Sequence, residues 1–160
     1  MKKIIVFGNS SSGKSTLAKR LTNKHSLAHL DLDTLAWQQT PEPERRCLTD
    51  SHKEILIFIR ANTEWVIEGC YSDLLQLVLL EANEIIYMNL STEDCIANAK
   101  RRPWEPHKYE SKRAQDANLG MLIDWISQYD KRTDACSKHA HDMLYRGHGG
   151  KKTMITNVED

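Results

Sequence analysis

The 160-residue chain contains no run of 18 apolar residues, so it lacks a membrane-spanning helix of ordinary length. It also lacks net charge. Its 22 Lys/Arg balance 22 Asp/Glu, and no global field draws it to nucleic acid or to an anionic bilayer. Cys47, Cys70, Cys95 and Cys136 are widely spaced and include no C-x-x-C pair, which argues against a redox motif or a zinc site and predicts free thiols in the cytoplasm. Only four apolar residues stand between the opening lysines and Gly8, far short of a secretory h-region. There is no repeat or low-complexity tract. One domain over residues 1–160 is expected, as a monomer or weak dimer.

What the chain does have is Gly8-Asn9-Ser10-Ser11-Ser12-Gly13-Lys14-Ser15-Thr16, a complete G-x-x-x-x-G-K-[ST] phosphate-binding loop directly after the apolar run Ile4 to Phe7. Gly8 and Gly13 let the backbone turn sharply and bring its N–H groups onto phosphate oxygens. The helix that starts near Gly13 adds its N-terminal dipole. Lys14 is expected on the β- and γ-phosphates, Ser15 on Mg²⁺, and Thr16 on a phosphate. The ligand class is therefore a nucleoside triphosphate with magnesium.

Apolar runs at Lys3 to Phe7, Leu27 to Leu32, Trp65 to Glu68 and Glu84 to Leu90 alternate with helical patterns, which predicts βαβ units and a parallel sheet. A fifth strand is placed at Thr153 to Thr156, with Met143 to Tyr145 read as the end of a helix. Helices are predicted at Gly13 to Lys24, Asp50 to Ala61, Ser72 to Leu80, Thr92 to Lys100, with a Ser91/Asp94 capping box, and Ser111 to Tyr129. In the last of these, Ala114, Ala117, Met121, Leu122, Trp125 and Tyr129 share one face. Two stretches have loop composition, Gln38 to Arg46 with Pro41 and Pro43, and Arg101 to Glu110 with Pro103 and Pro106.

Asp31 and Asp33, at the end of the second predicted strand, fall on one face if the chain is extended, and a carboxylate pair suits a metal shell plus a hydroxyl acceptor. The alternative is that Asp33 caps a helix through Thr34, Leu35 and Ala36. Glu68 and Gly69 close the third strand, where Glu68 can contact a metal-bound water or the acceptor and Gly69 can allow close backbone approach, and where an ordinary strand terminus and turn fits equally. From Lys100 to Arg113, six Lys/Arg face two acids, a net +4, which reads as a flap that closes over a transferring phosphoryl group. A solvated charge run and a single-stranded nucleic-acid surface built on Trp104 and Tyr109 are the competing readings, and the balanced net charge disfavours the second. His139 and His141, two apart on a helix, face different ways and read as exposed or core-edge residues rather than a metal pair.

The phosphate loop, the Asp-x-Asp at 31 and 33 and the basic flap together resemble the nucleoside monophosphate kinase and shikimate kinase branch of P-loop proteins, in particular small bacterial adenylate-kinase-related proteins labelled as topology-modulation or shikimate-kinase-like. The resemblance implies an α/β, three-layer P-loop NTPase fold: a parallel sheet of about five strands, helices on both faces and a short lid at about 101–110. It implies ATP and Mg²⁺ as cofactors and transfer of the γ-phosphoryl group to a small-molecule acceptor such as a nucleotide or shikimate. By the same resemblance Asp31 lies near the magnesium shell, Asp33 holds the acceptor hydroxyl, Arg101 or Arg102 contacts phosphates, and Arg60 supplies an acceptor-binding guanidinium. The shikimate kinases' glycine triplet is replaced here by Glu68-Gly69-Cys70, and their Arg-x-Pro-Leu-Tyr is absent. A nucleotide-binding regulatory module or weak ATPase is the alternative function.

Overall fold

The computed structural model describes residues 1–38 and 44–157. Five strands, β1 (Lys3–Gly8), β2 (Ala28–Asp31), β3 (Trp65–Gly69), β4 (Glu84–Met88) and β5 (Lys151–Ile155), form one sheet in the order β2-β3-β1-β4-β5, with every pairing parallel. The helices are α1 (Lys14–His25), α2 (Asp33–Ala36), α3 (Leu48–Ala61), α4 (Ser72–Val78), α5 (Thr92–Arg101), α6 (Lys112–Ser127) and α7 (Lys138–Gly147).

The strand sequences explain the layering. A strand sends alternate side chains to opposite faces, and a central parallel strand must be apolar on both. Ile5 and Phe7 of β1 join Trp65, Ile67, Ile85 and Tyr87 in a core closed by Ile55 of α3, Leu74, Leu75 and Val78 of α4 and Leu144 of α7. Ile4 and Val6 face the other way, with Val66, Ile86 and Met88, onto Ala18 of α1, Cys95 and Ala99 of α5 and Ile126 of α6. The helices start on serine caps where the sequence offers one: the Ser91, Ser111 and Ser137 hydroxyls accept the N–H groups of Asp94, Ala114 and Ala140.

Register positions the site. Val6 is level with Glu68, Gly8 with Met88, and Asp31 with Glu68, so the phosphate loop and both acidic strand ends emerge at one edge of the sheet. Ligands of open α/β sheets bind beyond that edge.

The α/β class, the parallel sheet and its five strands agree with the sequence reading. Differences lie at the ends. β5 begins two residues earlier than expected, β4 stops at Met88, and the fourth helix gives way at Leu79 to a 3₁₀ turn through Glu81. The short α2 is the helix of the alternative reading, with Asp33 as its first residue rather than its cap, and most of α7 was not expected as a helix. On α6 the inward face is Leu119, Leu122 and Ile126, while Met121 is exposed, because the helix packs on α5 through a narrower stripe than its apolar content suggests. Of the proline-containing loop at Gln38 to Arg46, residues 39–43, with Pro41 and Pro43, lie outside the described residues. The residues beside that gap are tied together: Trp37 bridges Arg45, and the Gln38 N–H donates to the Glu44 carbonyl.

Candidate active site

The loop from Gly8 to Thr16 wraps the carboxyl end of β1. A Cβ on Gly8 would stand 2.4 Å from the Met88 carbonyl oxygen on β4, so only glycine lets the loop leave the sheet here. Ser11 and Gly13 adopt positive φ, and the N–H groups of Gly13, Lys14, Ser15 and Thr16 have no acceptor among the described residues. Such a row of aligned donors at a helix N-terminus suits an anion. Lys14 Nζ folds back onto the Asn9 carbonyl at 2.6 Å, and the Asn9 amide donates to Ile126 O on α6, which ties the loop to the helix behind it.

Ser15 Oγ donates to Glu68 Oε1 at 2.7 Å, and His29 Nε2 lies 2.7 Å from Glu68 Oε2. Glu68 is 2% exposed, and both its oxygens have partners, as a buried polar group requires. Ser15, Glu68 and Asp31 line the cleft beside the loop and bring oxygen atoms, the hard donors that Mg²⁺ takes. A Cβ on the neighbouring Gly69 would come within 2.9 Å of Leu32 Cβ, so packing of the turn after β2 accounts for that glycine.

Asp31 and Asp33 do converge, but not by the strand geometry expected from the sequence. Leu32 is in the right-handed helical region, Asp33 opens α2, and the Asp33 N–H donates to Asp31 Oδ1 at 2.9 Å. The two carboxylates are brought together by a turn, with Asp31 as the residue that satisfies the backbone. Lys108 of the flap reaches both, 2.8 Å from Asp33 Oδ2 and 3.6 Å from Asp31 Oδ2, with Glu105 Oε2 at 3.7 Å. Tyr71 donates its hydroxyl proton to Asp33 Oδ1 and accepts the Trp37 indole N–H at 2.9 Å. Burial, the neighbouring Asp33 and Glu68 raise the Asp31 pKa despite Lys108. Burial works the same way on Asp33, but Lys108 and the Tyr71 hydroxyl outweigh it and hold Asp33 below the usual carboxylate range. Lys108 is itself raised: burial opposes its charge, and Asp33 and Asp31 more than offset that.

The flap touches both halves of the site. Arg102 donates to the Ser11 hydroxyl on the phosphate loop and to Glu105 Oε1 at 3.0 Å, while Lys108 holds the acidic turn. Arg101 turns to Asn98, whose amide reaches the Ser11 carbonyl at 2.9 Å. Phosphate loop, acidic turn and flap line a single cleft of about 1620 Å³.

Among the residues singled out from the sequence, those of the phosphate loop from Ser10 to Thr16, Asp31, Asp33, Glu68, Gly69, Arg101 and Arg102 line that cleft; Gly8 and Asn9 brace the loop from behind. Arg60 does not join them. It is exposed near the carboxyl end of α3, which runs back toward the start of β3 and carries the guanidinium away from the ligand edge. The sequence reading missed His29, Trp37, Tyr71 and Lys108. A signal existed for Trp37, which stands four residues after Asp33; the rest depend on partners 38 to 77 residues away.

His139 is exposed, but His141 is fully buried rather than at a core edge. Its Nε2 lies 2.7 Å from the Cys70 carbonyl, which can only accept, so Nε2 carries the proton; Nδ1 then accepts from the Tyr129 hydroxyl at 2.6 Å. Burial pushes its pKa down to about 4. This neutral imidazole anchors the turn that presents Tyr71. Cys70 itself hydrogen-bonds Cys136, and that contact and burial raise the Cys136 thiol, which leaves no thiolate for chemistry.

No family model and no curated protein matches the chain. Among solved structures, a deoxyadenosine kinase from M. mycoides with bound dATP superposes with a TM-score of 0.53 at 14% identity, covering 100% of this chain and 93% of that one. The chain shares its overall fold with that kinase. An uncharacterised protein from Eubacterium ventriosum ATCC 27560 aligns with a TM-score of 0.48 and 14% identity, over 98% of this chain and 89% of the other. That shared fold accounts for the strand order and for the cleft at the carboxyl edge. In such a fold the substrate is set by the residues of the cleft, not by the scaffold. Among the described residues no helix is long and apolar enough to cross a membrane.

Proposed function

We propose that the protein is a phosphotransferase that moves the γ-phosphoryl group of Mg·ATP to a hydroxyl of a small molecule. The observation that carries this reading is the convergence, in one cleft, of a complete phosphate loop, a buried Ser15–Glu68 pair and a carboxylate turn at Asp31 and Asp33, bridged by two flap cations. Lys14 and the loop N–H groups hold the β- and γ-phosphates. Ser15, with Glu68 and Asp31 behind it, would hold Mg²⁺, which neutralises phosphate charge when bound. The acceptor oxygen attacks γ-phosphorus, the bond to the β–γ bridging oxygen breaks, ADP leaves, and the hydroxyl proton passes to Asp33. Because Asp33 is held acidic, its main task is to orient the hydroxyl, and most proton transfer follows bond formation. Arg102 stabilises the charge on the transferring group.

A nucleotide-binding regulatory module or weak ATPase is the second reading, and the Lys108 ammonium seated against Asp33 favours it. Acceptor-dependent ADP release separates the two. Mg·ATP at a hundredfold excess over Kd is expected to stabilise the fold by about 2.7 kcal/mol, and Lys14→Ala to lose most of it. Equal ATP affinity of wild type and Lys14→Ala by calorimetry overturns the assignment.

A further inference from the structure

We infer that β5 is an interaction surface and that its partner is β5 of a second copy of this chain, paired antiparallel about a two-fold axis at Thr153. The two edges of the sheet differ. β2 has no exposed residue, whereas four of the five residues of β5 are exposed, Met154 by 41%. The Asn89 N–H donates to the Ile155 carbonyl at 2.8 Å, so the backbone groups of Ile155 face β4. These groups alternate along a strand, which turns Lys151 and Thr153 to β4 as well. The N–H and C=O groups of Lys152 and Met154 therefore point outward, where they meet no partner among the described residues. Such a row is a template for another strand, and lysines on the edge are a usual guard against it. Here both lysines are drawn away from the edge. Lys151 Nζ lies 3.7 Å from Glu84 Oε2 on β4, and Lys152 bends over the Tyr145 ring of α7 and donates to the Tyr145 carbonyl at 3.1 Å.

Backbone and charge together select one pairing of two copies. Parallel pairing about a two-fold sets each residue opposite itself, Lys152 against Lys152, and like charges so placed are unfavourable. Antiparallel pairing makes hydrogen bonds only where outward-facing residues oppose one another. Centred on Thr153, it overlaps the whole of Lys151–Ile155 and sets Lys152 opposite Met154 of the second copy, so that each such pair exchanges both N–H···O bonds. The exposed Met154 is then covered by the aliphatic stem of a lysine, and Thr153 meets its own copy in the close pair without hydrogen bonds. Centred on Lys152, the strands again oppose two lysines; centred on Met154, they leave Lys151 and Lys152 beyond the partner strand. The strand is thus complementary to itself in one register, and an isologous contact of this kind closes as a dimer. The two clefts, at the carboxyl edges of oppositely directed sheets, open on opposite sides and stay accessible.

A single short strand pair is a small interface, so dissociation is expected on the order of 10–100 μM, read by sedimentation velocity from about 5 to about 500 μM. Met154→Pro removes an outward donor and spares the bonds to β4, and Thr153→Lys sets like charges against each other at the two-fold. Each is expected to weaken the dimer at least tenfold with unchanged circular dichroism; if the proline variant misfolds, the lysine variant decides. Cys47 is the exposed cysteine, so cross-linking is done in a Cys47→Ser background. There Thr153→Cys is expected to yield a disulfide-linked dimer under mild oxidation, and Lys151→Cys, whose two copies lie at opposite ends of the strand pair, is not. A chain that stays monomeric throughout this range overturns the inference. So does a dimer that the lysine variant leaves intact, or one that cross-links through position 151 as readily as through position 153.

Discussion

His141 makes the stability of this protein depend on pH in a way that can be calculated. The ordinary pKa of a histidine is 6.5, and here burial lowers it to about 4, with both ring nitrogens already engaged. The folded state therefore refuses a proton that the unfolded state takes up. Above pH 6.5 both states are neutral and the group costs nothing. As pH falls through 6.5, the unfolded chain binds about one more proton than the folded chain, and stability drops by about 1.4 kcal/mol per pH unit until the folded pKa is reached. Between pH 7 and pH 5 the loss attributable to His141 is about 2 kcal/mol, and about 3 kcal/mol in full. Urea unfolding across this range measures it. His141→Phe strands the Cys70 carbonyl and leaves the Tyr129 hydroxyl only Tyr87, so it is expected to be less stable at pH 7 by about 1–3 kcal/mol, yet to show a shallower pH slope. Equal slopes in wild type and variant, or an NMR titration of His141 near its ordinary pKa, refute the reasoning.

Glu68→Gln and His29→Leu each remove part of the carboxylate hold on Ser15; ATP affinity measured by calorimetry is expected to weaken roughly tenfold with Mg²⁺ present and to stay unchanged in EDTA. Equal magnesium dependence in all three proteins would return Glu68 and His29 to a purely structural role. Lys108→Ala detaches the flap from Asp33, at a cost of about 1 kcal/mol for a half-buried pair, and trypsin is expected to cut after Arg101 about fivefold faster in the nucleotide-free protein. Unaltered cleavage would mean that Arg102 and the phosphate loop hold the flap on their own.

The parts of the molecule that were legible in the sequence are those in which the chain interacts with itself over short range. The phosphate loop is nine consecutive residues with backbone requirements of their own, and the strands declare themselves because a buried parallel strand cannot carry charge on either face. His141 shows the opposite case. Its two partners, Cys70 and Tyr129, lie 71 and 12 residues away, so a sequence containing a histidine in a polar stretch gives no sign that it ends in the centre of the core. Lys108 is similar: the charge excess of the flap was visible, but which of its cations would meet the phosphate loop and which the acidic turn depends on how ten loop residues fold between α5 and α6.

Asp31 and Asp33 show why a correct destination can rest on the wrong local geometry. Side-chain alternation along a strand would have put both carboxylates on one face, and they do end side by side, yet Leu32 leaves the extended region and the pair is assembled by a turn. The difference changes the chemistry. On a strand the two acids would be equivalent, and their mutual repulsion would be shared. In the turn, Asp31 spends one oxygen on the Asp33 N–H, and burial, then Asp33 and Glu68, raise its pKa, whereas Asp33 is served by Lys108 and Tyr71 and is lowered. Environment has thus divided two identical side chains into one held less acidic and one held more acidic than usual, the split that the proposed transfer would use. That division requires Tyr71 to be in place. Tyr71 is held in turn by the Trp37 indole and by the turn that His141 anchors through the Cys70 carbonyl, so the core histidine and the acceptor-side carboxylate belong to one connected arrangement.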